Sequence, residues 1–283
     1  MEHPTPLDVA LQQLRLPVFG QLYARLAQEA QTTPLSYERY LLALAEQELA
    51  YRNRQRQQQY LKLARFPVLK ELADFAFRLV PSLNQARVLT LAEGHYIRPA
   101  EPILMVGHPG LGKSHLATAL GVAACRQGRR VRFYNAAGLV NELLAAQERQ
   151  RVPQVIATAL KQQVVILDEL GFIPFSERGA QLIFQFCSAL HERVALIVTT
   201  NLRFADWTQV FGNPSLTAAL LDRLTARAHI LEFVGDSYRL RQQPARLPTE
   251  PSVPELVAAI WDEAAPARAF LTHVVVLAWP PFP

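Results

Sequence analysis

Hydrophobic residues recur about once per helical turn up to about residue 95, and this spacing predicts a region made of helices only. The first run comprises Leu7, Leu11, Leu14, Leu16, Phe19, Leu22 and Leu26. A second run predicts a helix over residues 36–59, because Pro34 lies just ahead of it and Ser36 is followed by Glu38. Pro67 and Pro81 interrupt the pattern that follows.

From about Pro102 the pattern changes to short aliphatic runs separated by longer helical stretches. The predicted strands are Ile103–Val106, Val131–Tyr134, Val164–Leu167, Ala195–Thr199 and Ile230–Phe233. Aliphatic runs that alternate with helices are typical of βαβ units, in which helices cover both faces of a parallel sheet. The sequence therefore predicts an α/β domain after the helical region.

The composition changes again beyond Gln243. Prolines stand at 244, 248, 251, 254 and 266, so we expect the compact part of the chain to end near there. The apolar run Ala269–Trp279 is only about half as long as a segment that spans a bilayer. This tail could dock a partner or have no selected role, and we favour the second interpretation.

Composition and charge indicate a soluble globular protein that could bind nucleic acid. Half of the 283 residues are hydrophobic and 19% are charged, which is ordinary for a soluble globular protein. The formal net charge of +5 is compatible with a nucleic-acid partner. Cys125 and Cys187 fit no metal-binding spacing, and we expect them to pack as small hydrophobes in a reducing compartment. No signal peptide opens the chain, so we expect a cytoplasmic protein with no membrane partner.

A glycine-rich turn follows the first predicted strand. Residues 107–114 match G-x-x-x-x-G-K-S, in which glycines let successive backbone N–H groups point at phosphate oxygens. Lys113 would reach the β- and γ-phosphates and Ser114 would bind Mg²⁺, while the next helix presents its positive N-terminus. A strand before the turn and a helical run after it favour this interpretation over a chance glycine-rich turn.

Polar residues end two later strands. Asp168 and Glu169 follow four aliphatic residues, at the position where open α/β sheets bind ligands. Asp168 would bind Mg²⁺ or its water ligands, and Glu169 would orient or deprotonate a water molecule. A second acid that activates water favours hydrolysis over phosphate transfer to a small molecule. The alternative is a solvated charged turn. Asn201 ends the next strand and could contact the γ-phosphate or the water, although asparagine is also an ordinary turn residue.

Residues 51–70 contain six basic residues and no acidic one. The candidate contacts to DNA phosphates are Arg52, Arg54, Arg56, Lys62 and Arg65, with Tyr51 and Tyr60 between them. The alternative is a solvated helix face. A second cluster, Arg126, Arg129, Arg130 and Arg132, could line a ring interior or merely lie at a helix end. Nothing in these patterns indicates base-specific recognition.

Four segments, taken together and in this order, resemble the IstB family of AAA+ ATPases, the ATP-binding helpers of insertion-sequence transposition, and next to them the DnaC helicase loaders. The segments are HPTPLDVALQQLRLPVF (3–19), LKLARFPVLKELADFAF (61–77), GKSHLATALG (112–121) and LLDRLTARAHILEFVGDSYRLRQ (220–242). The resemblance covers roughly residues 4–242.

The resemblance implies a P-loop AAA+ domain with a five-stranded parallel sheet, preceded by a small all-α N-terminal domain. It also implies ATP and Mg²⁺ as cofactors and an ATP-dependent ring or spiral of copies on double-stranded DNA. The partner that it implies is a transposase, with hydrolysis resetting the assembly. The expected boundaries are 1–66 for the helical domain, 67–95 for a connecting segment, 96–242 for the ATPase domain and 243–283 for a poorly ordered extension.

The resemblance also assigns residues. The nucleotide loop is Gly107, His108, Pro109, Gly110, Leu111, Gly112, Lys113, Ser114 and His115. Asp168 and Glu169 are the Walker B pair, where the family more often has two aspartates, and Asn201 is the sensor. Arg223 matches an arginine finger that reaches into a neighbouring subunit, and Arg239 matches an arginine that often contacts the γ-phosphate.

Two rival functions share parts of this pattern. A DnaC-like helicase loader would have the same ATPase motifs, but the N-terminal segment resembles the transposition helpers. A P-loop kinase for a small molecule is disfavoured by the acidic pair, by Asn201 and by Arg223, since such a kinase gains nothing from an arginine supplied by a neighbour.

Overall fold

A computed structural model describes residues 5–32 and 35–235. Its N-terminal part consists of three helices, α1 (Pro6–Gln13), α2 (Pro17–Thr32) and α3 (Tyr37–Ala64). A capping box between Thr5 and Asp8 begins α1, and the Ser36 hydroxyl caps α3 by accepting from the Arg39 N–H. The predicted helix over 36–59 is confirmed and continues five residues further, to Ala64.

Helix α3 joins the helical region to the sheet. Its first half packs on α2, where the buried Glu48 carboxylate accepts from the Val18 N–H at 3.0 Å and from Arg52 Nε at 2.8 Å. Its second half packs on the strand β2 (Val131–Asn135) and the helix α5 (Lys113–Arg126). One continuous helix therefore contacts both parts of the structure.

The segment between α3 and the sheet contains short 3₁₀ turns at Leu72–Asp74 and Phe77–Leu79, followed by helix α4 (Gln85–Ala92). The remaining strands are β1 (Ile103–Gly107), β3 (Val164–Asp168), β4 (Ala195–Thr200) and β5 (His229–Phe233). All five predicted strands are confirmed, with each boundary within one residue of the prediction.

The five strands form one parallel sheet in the order β2-β3-β4-β1-β5. The remaining helices are α6 (Ala136–Glu148), α7 (Val152–Leu160), α8 (Glu177–Leu190), α9 (Thr208–Phe211) and α10 (Pro214–Thr225). Alternate strand residues face opposite sides: Val165 and Leu167 belong to a core formed with α6, α7, α8, α9 and α10, whereas Val164 and Ile166 belong to a core formed with α3, α4 and α5. The sheet is therefore covered on both faces, as the sequence predicts.

Parallel strands bring their carboxyl ends to one edge of the sheet. The ends of β1, β3 and β4 are neighbours there, because β4 lies between β3 and β1. This edge is where ligands bind in open α/β sheets. Within residues 5–32 and 35–235, no helix is long and apolar enough to cross a membrane.

Candidate functional site

The loop after β1 is shaped for close approach of a ligand to its backbone. Gly107 has φ +150° and Gly112 has φ +89°, conformations that residues with a side chain rarely adopt. A Cβ atom at Gly107 would lie 2.2 Å from the Phe233 carbonyl oxygen, and one at Gly112 would lie 2.9 Å from the Phe75 ring. Both positions therefore require glycine, and the predicted nucleotide loop has the curled backbone that phosphate binding needs.

Lys113 lies inside this loop. Its side-chain Nζ donates to the carbonyl oxygens of Gly107 at 2.6 Å and His108 at 2.7 Å, and the residue is buried at the start of α5. Ser114 follows it in the first turn of the same helix. The loop therefore surrounds a fixed positive charge at the N-terminus of a helix, which is a site suited to phosphate oxygens.

A threonine on β4 positions both predicted acids. Thr199 Oγ1 donates to Asp168 Oδ1 at 2.6 Å and accepts from the Glu169 N–H at 2.9 Å. Thr199 and Asp168 are both buried, so this bond is protected from water. The Asp168 carboxylate is therefore held at the sheet edge with its second oxygen, Oδ2, in no hydrogen bond to another described residue.

Glu169 has a different environment. It is exposed and has φ +61°, an uncommon value for a residue other than glycine, and it follows β3 directly. Its Oε2 accepts from Asn135 Nδ2 at 2.9 Å, and Asn135 ends the neighbouring strand β2. Asn135 Oδ1 also caps α6 by accepting from the Gly138 N–H at 3.3 Å. The side-chain amide of Asn135 therefore holds the Glu169 carboxylate and also caps the N-terminus of α6.

Asn201 follows β4, the strand between the acidic pair and the nucleotide loop. Its Oδ1 atom is buried and has no hydrogen-bond partner among the described residues. A buried amide oxygen without a donor costs free energy unless a ligand or water satisfies it. This position suits an amide that contacts a bound phosphate or an ordered water.

The connecting segment covers one side of the loop. The Phe75 ring packs edge-on against His115, with 5.5 Å between ring centroids, and a ring nitrogen of His115 lies 3.2 Å from the Glu71 carbonyl oxygen. The Glu71 carboxylate forms an ion pair with Arg126 at the end of α5. His115 therefore contacts the connecting segment.

Arg223 lies in the last turn of α10 and is half-buried. Its Nη1 donates to the Ala219 carbonyl oxygen at 2.9 Å, and its guanidinium carbon lies 5.0 Å from the centre of the Phe184 ring on α8. It forms no ion pair with Asp222, the alternative partner on its own helix. Its predicted role in a neighbouring subunit stays a prediction, and Arg239 lies outside the described residues.

The basic residues of α3 fall into two groups. Arg54, Arg56, Lys62 and Arg65 are exposed, and none of them forms an ion pair with a residue in 5–32 or 35–235. Arg52 instead binds Glu48 and donates from Nη2 to the Arg15 carbonyl oxygen at 2.7 Å. Its guanidinium therefore connects α3 to the turn between α1 and α2.

The hydrophobic pattern does not single out Thr199 and Asn135 as site residues. It predicts Thr199 as the end of a strand, and it ends the strand β2 at Tyr134, one residue before Asn135. Both residues share one signal, which is a polar side chain at the end of a strand. This signal identifies them only when it is known that β2 and β4 lie on either side of β3, the strand that ends in the acidic pair.

Burial raises the pKa of the Cys125 and Cys187 thiols to about 12, consistent with the prediction that both pack as hydrophobes.

Comparisons with known proteins agree with this geometry. The family model described as "IstB-like ATP binding protein" matches residues 9–245. A candidate ATP-binding protein of insertion sequence IS5376 from Geobacillus stearothermophilus is 33% identical over 230 residues, which is 81% of this chain and 92% of the relative. The corresponding protein of insertion sequence IS21 from Pseudomonas aeruginosa is 33% identical over 237 residues, which is 84% of this chain and 89% of the relative.

A search of solved structures also finds distant similarities. A crystal structure of the DnaC helicase loader is 20% identical, with a TM-score of 0.47 over 62% of this chain and 99% of that one. Similarity at this level carries no information about function. The family match spans most of the chain, and the relatives exceed 30% identity over most of both sequences. The chain therefore belongs to the family of IstB-like ATP binding proteins.

Proposed function

We propose that this chain is an ATPase that assembles on double-stranded DNA in an ATP-dependent ring or spiral and assists a transposase in target-site selection and integration. The observation that carries the proposal is the convergence of three groups at one sheet edge: the curled loop around Lys113, the buried Asp168–Thr199 pair and the exposed Glu169 held by Asn135. This set would provide a phosphate-binding loop, a ligand for Mg²⁺ and a carboxylate that accepts a proton from water.

The loop fits the triphosphate of ATP. Its backbone N–H groups and Lys113 would bind the β- and γ-phosphate oxygens, because the positive charge is already fixed within the loop. Ser114 and Asp168 would hold Mg²⁺, which neutralises charge that develops on the phosphates. Hydroxyl and carboxylate oxygens are the ligands that Mg²⁺ prefers, and Thr199 fixes one oxygen of Asp168.

Glu169 would accept a proton from the water that attacks the γ-phosphorus. The carboxylate is exposed at the edge of the sheet, where it can meet both solvent and nucleotide. Asn135 holds this carboxylate by its Oε2 atom, so the asparagine would restrain the movement of Glu169 toward the water. Asn201 would orient the water or the γ-phosphate with its buried amide.

Assembly would complete the site. Arg223 lies on the surface of α10, and a neighbouring copy that placed it at the γ-phosphate would supply a positive charge where charge develops. The exposed cations of α3 support DNA as the surface on which copies assemble. Relatives named as ATP-binding proteins of insertion sequences favour a transposase partner over a helicase.

Two variants test the ATPase assignment. Lys113→Ala should lose ATP binding, because the β- and γ-phosphates lose their charged donor. Glu169→Gln should bind ATP yet hydrolyse it slowly, and should form long-lived complexes with DNA. Hydrolysis at the wild-type rate by Glu169→Gln would show that another group activates the water.

A strand-transfer assay with the transposase of the same insertion sequence tests the partner. Wild-type protein with ATP should raise the number of integration products on a DNA target, and Lys113→Ala should not. The same yield without the ATPase, or equal yields from both proteins, would rule out the transposition role.

A further inference from the structure

A cleft of about 350 Å³ lies beside β2, one of the two edge strands of the sheet, between that strand and the helices α6 and α7. Two strands, β3 and β4, separate it from β1 and the nucleotide loop. Three arginines line it, Arg132, Arg149 and Arg151, against one acidic residue, Glu142. The cleft therefore has an excess of positive charge in a concave surface that the ATPase site does not use.

The arginines of this cleft have unused donors. Arg149 and Arg151 are exposed, and neither side chain forms an ion pair or hydrogen bond with any residue in 5–32 or 35–235. Arg132 is fixed by its Nη1 bond to the Leu63 carbonyl oxygen at 3.2 Å and by its position 5.3 Å from the Tyr134 ring centre. Its Nε atom is nevertheless buried without an acceptor. A buried guanidinium N–H without an acceptor is costly, so a ligand oxygen at this position would be stabilising.

The cleft lies next to the basic end of α3. Arg132 Nη1 donates to the carbonyl oxygen of Leu63 in the last turn of that helix, and the exposed Arg65 follows two residues later. Burial raises the pKa of the Tyr134 hydroxyl, while the charges of Arg132 and Arg65 lower it and that of Glu142 raises it. Arg65 and the arginines of the cleft are therefore neighbouring basic residues on two elements.

We propose that this cleft binds a backbone phosphate of duplex DNA. The choice of DNA as the ligand rests on the proposed function. Guanidinium groups match phosphate oxygens with two parallel N–H donors, and arginine is preferred where such recognition matters. Duplex DNA carries one negative charge per about 1.7 Å of helix axis, so neighbouring cations can meet more than one phosphate at once.

The test compares two double variants that remove the same charge. Arg149→Gln with Arg151→Gln removes the two exposed arginines of the cleft. Arg87→Gln with Arg98→Gln is the matched control, because both arginines are exposed, unpaired among the described residues and absent from the cleft. Affinity for a 30-base-pair duplex of arbitrary sequence is measured by fluorescence anisotropy at several salt concentrations.

The cleft variant should bind the duplex more weakly at low salt, with a slope of log K against log salt smaller by about 1.8, or about 0.9 for each lost phosphate contact. The control variant should keep the wild-type slope. Thr158→Glu, which places a carboxylate in the cleft and leaves both arginines intact, should weaken binding in the same way. The ATPase rate without DNA should be unchanged in all three variants, which shows that they are folded.

Three outcomes would overturn the inference. Wild-type affinity and slope in the folded cleft variant would show that DNA does not use the cleft. Unchanged DNA binding together with weaker binding of polyglutamate would assign the cleft to an acidic peptide instead. A wild-type protein that binds no duplex would reject the DNA-binding function itself, a result distinct from the failure of one cleft.

Discussion

Asn135 donates a hydrogen bond to Glu169 across the boundary between two neighbouring strands, with 2.9 Å between Nδ2 and Oε2. The bond connects the acid that would activate water with the end of β2, and β2 packs against α3. Because α3 carries the candidate DNA contacts, this asparagine lies between the candidate DNA-binding surface and the proposed site of hydrolysis.

Replacement of Asn135 should release Glu169. Asn135→Ser keeps an oxygen that caps α6 but is too short to reach the carboxylate, so it separates the two contacts of the asparagine. Loss of this restraining hydrogen bond, worth about 1 kcal/mol, should raise DNA-free ATP hydrolysis about fivefold. Steady-state rates with and without DNA measure this, and the ratio between them should shrink. An unchanged DNA-free rate would show that the amide does not restrain the acid.

Thr199 should matter for both metal binding and stability. Thr199→Val removes the hydroxyl that donates to Asp168 and accepts from the Glu169 N–H, which leaves two polar groups without a partner. The free energy of unfolding should fall by about 1–3 kcal/mol, and ATP hydrolysis should require more Mg²⁺. Thr199→Ser is the control, because it keeps the hydroxyl. Urea unfolding and Mg²⁺ titrations of the rate distinguish the variants, and equal Mg²⁺ dependence would contradict the assignment of Asp168.

The arginines of α3 should separate into two functional groups. Arg54→Gln with Arg56→Gln should weaken DNA binding for all sequences alike and reduce the salt slope by about 0.9 for each lost contact. Arg52→Gln should instead lower the free energy of unfolding by about 1–2 kcal/mol, because the buried Glu48 loses its charged partner. Salt titrations and urea unfolding measure the two effects. A normal salt slope in the first variant would mean that these arginines only solvate the helix.

The buried thiols should make the fold sensitive to alkali. Burial raises the pKa of Cys125 and Cys187 from 9.0 to about 12, so both thiols stay protonated in the folded state at pH values where the unfolded chain loses these protons. Their contribution to stability is therefore complete below pH 9 and is lost as the pH rises toward 12. Unfolding in urea from pH 8 to pH 11 should show this decline. Replacing both cysteines with alanine should flatten it, and an equally steep decline in that variant would assign the effect to other groups.

The sheet and the nucleotide loop could be predicted from the sequence because their signals are local. Each strand is a short aliphatic run, and the loop from Gly107 to Ser114 is contiguous. The contacts of Asn135 and Thr199 could not be predicted, because they depend on which strand lies beside which. The order β2-β3-β4-β1-β5 brings together residues that are about 30 positions apart in the chain.

The different environments of the α3 arginines also depend on contacts with residues elsewhere in the chain. The absence of acidic residues from positions 51–70 predicts that the basic residues of this segment, Arg52 among them, contact DNA phosphates. The partner of Arg52 is Glu48, one helical turn before that run, and its second acceptor is the carbonyl of Arg15 in the turn between α1 and α2. A charge count within a window cannot detect either contact.

Arg223 offers the most direct test of assembly. Its guanidinium rests on Phe184 and bonds to Ala219 within its own subunit, so it contributes to a neighbour only if it leaves these contacts. Such an arginine, supplied to another subunit's nucleotide, can raise the rate by about 10³ or more. Arg223→Ala should therefore bind ATP normally and lose DNA-stimulated hydrolysis by a factor of this order.

Mixing experiments distinguish a role in a neighbour from a role within the subunit. Lys113→Ala lacks nucleotide binding but keeps Arg223, and Arg223→Ala has the reverse defect, so a mixed assembly contains some sites with both groups. Hydrolysis by the mixture should exceed that of either variant alone and should depend on DNA. Phe184→Leu adds a second measurement, because it removes the ring on which the guanidinium rests and keeps an apolar side chain. It should leave ATP affinity unchanged and alter only the DNA-stimulated rate. If no mixing ratio restores hydrolysis although both variants are folded and assemble together on DNA, Arg223 acts within its own subunit.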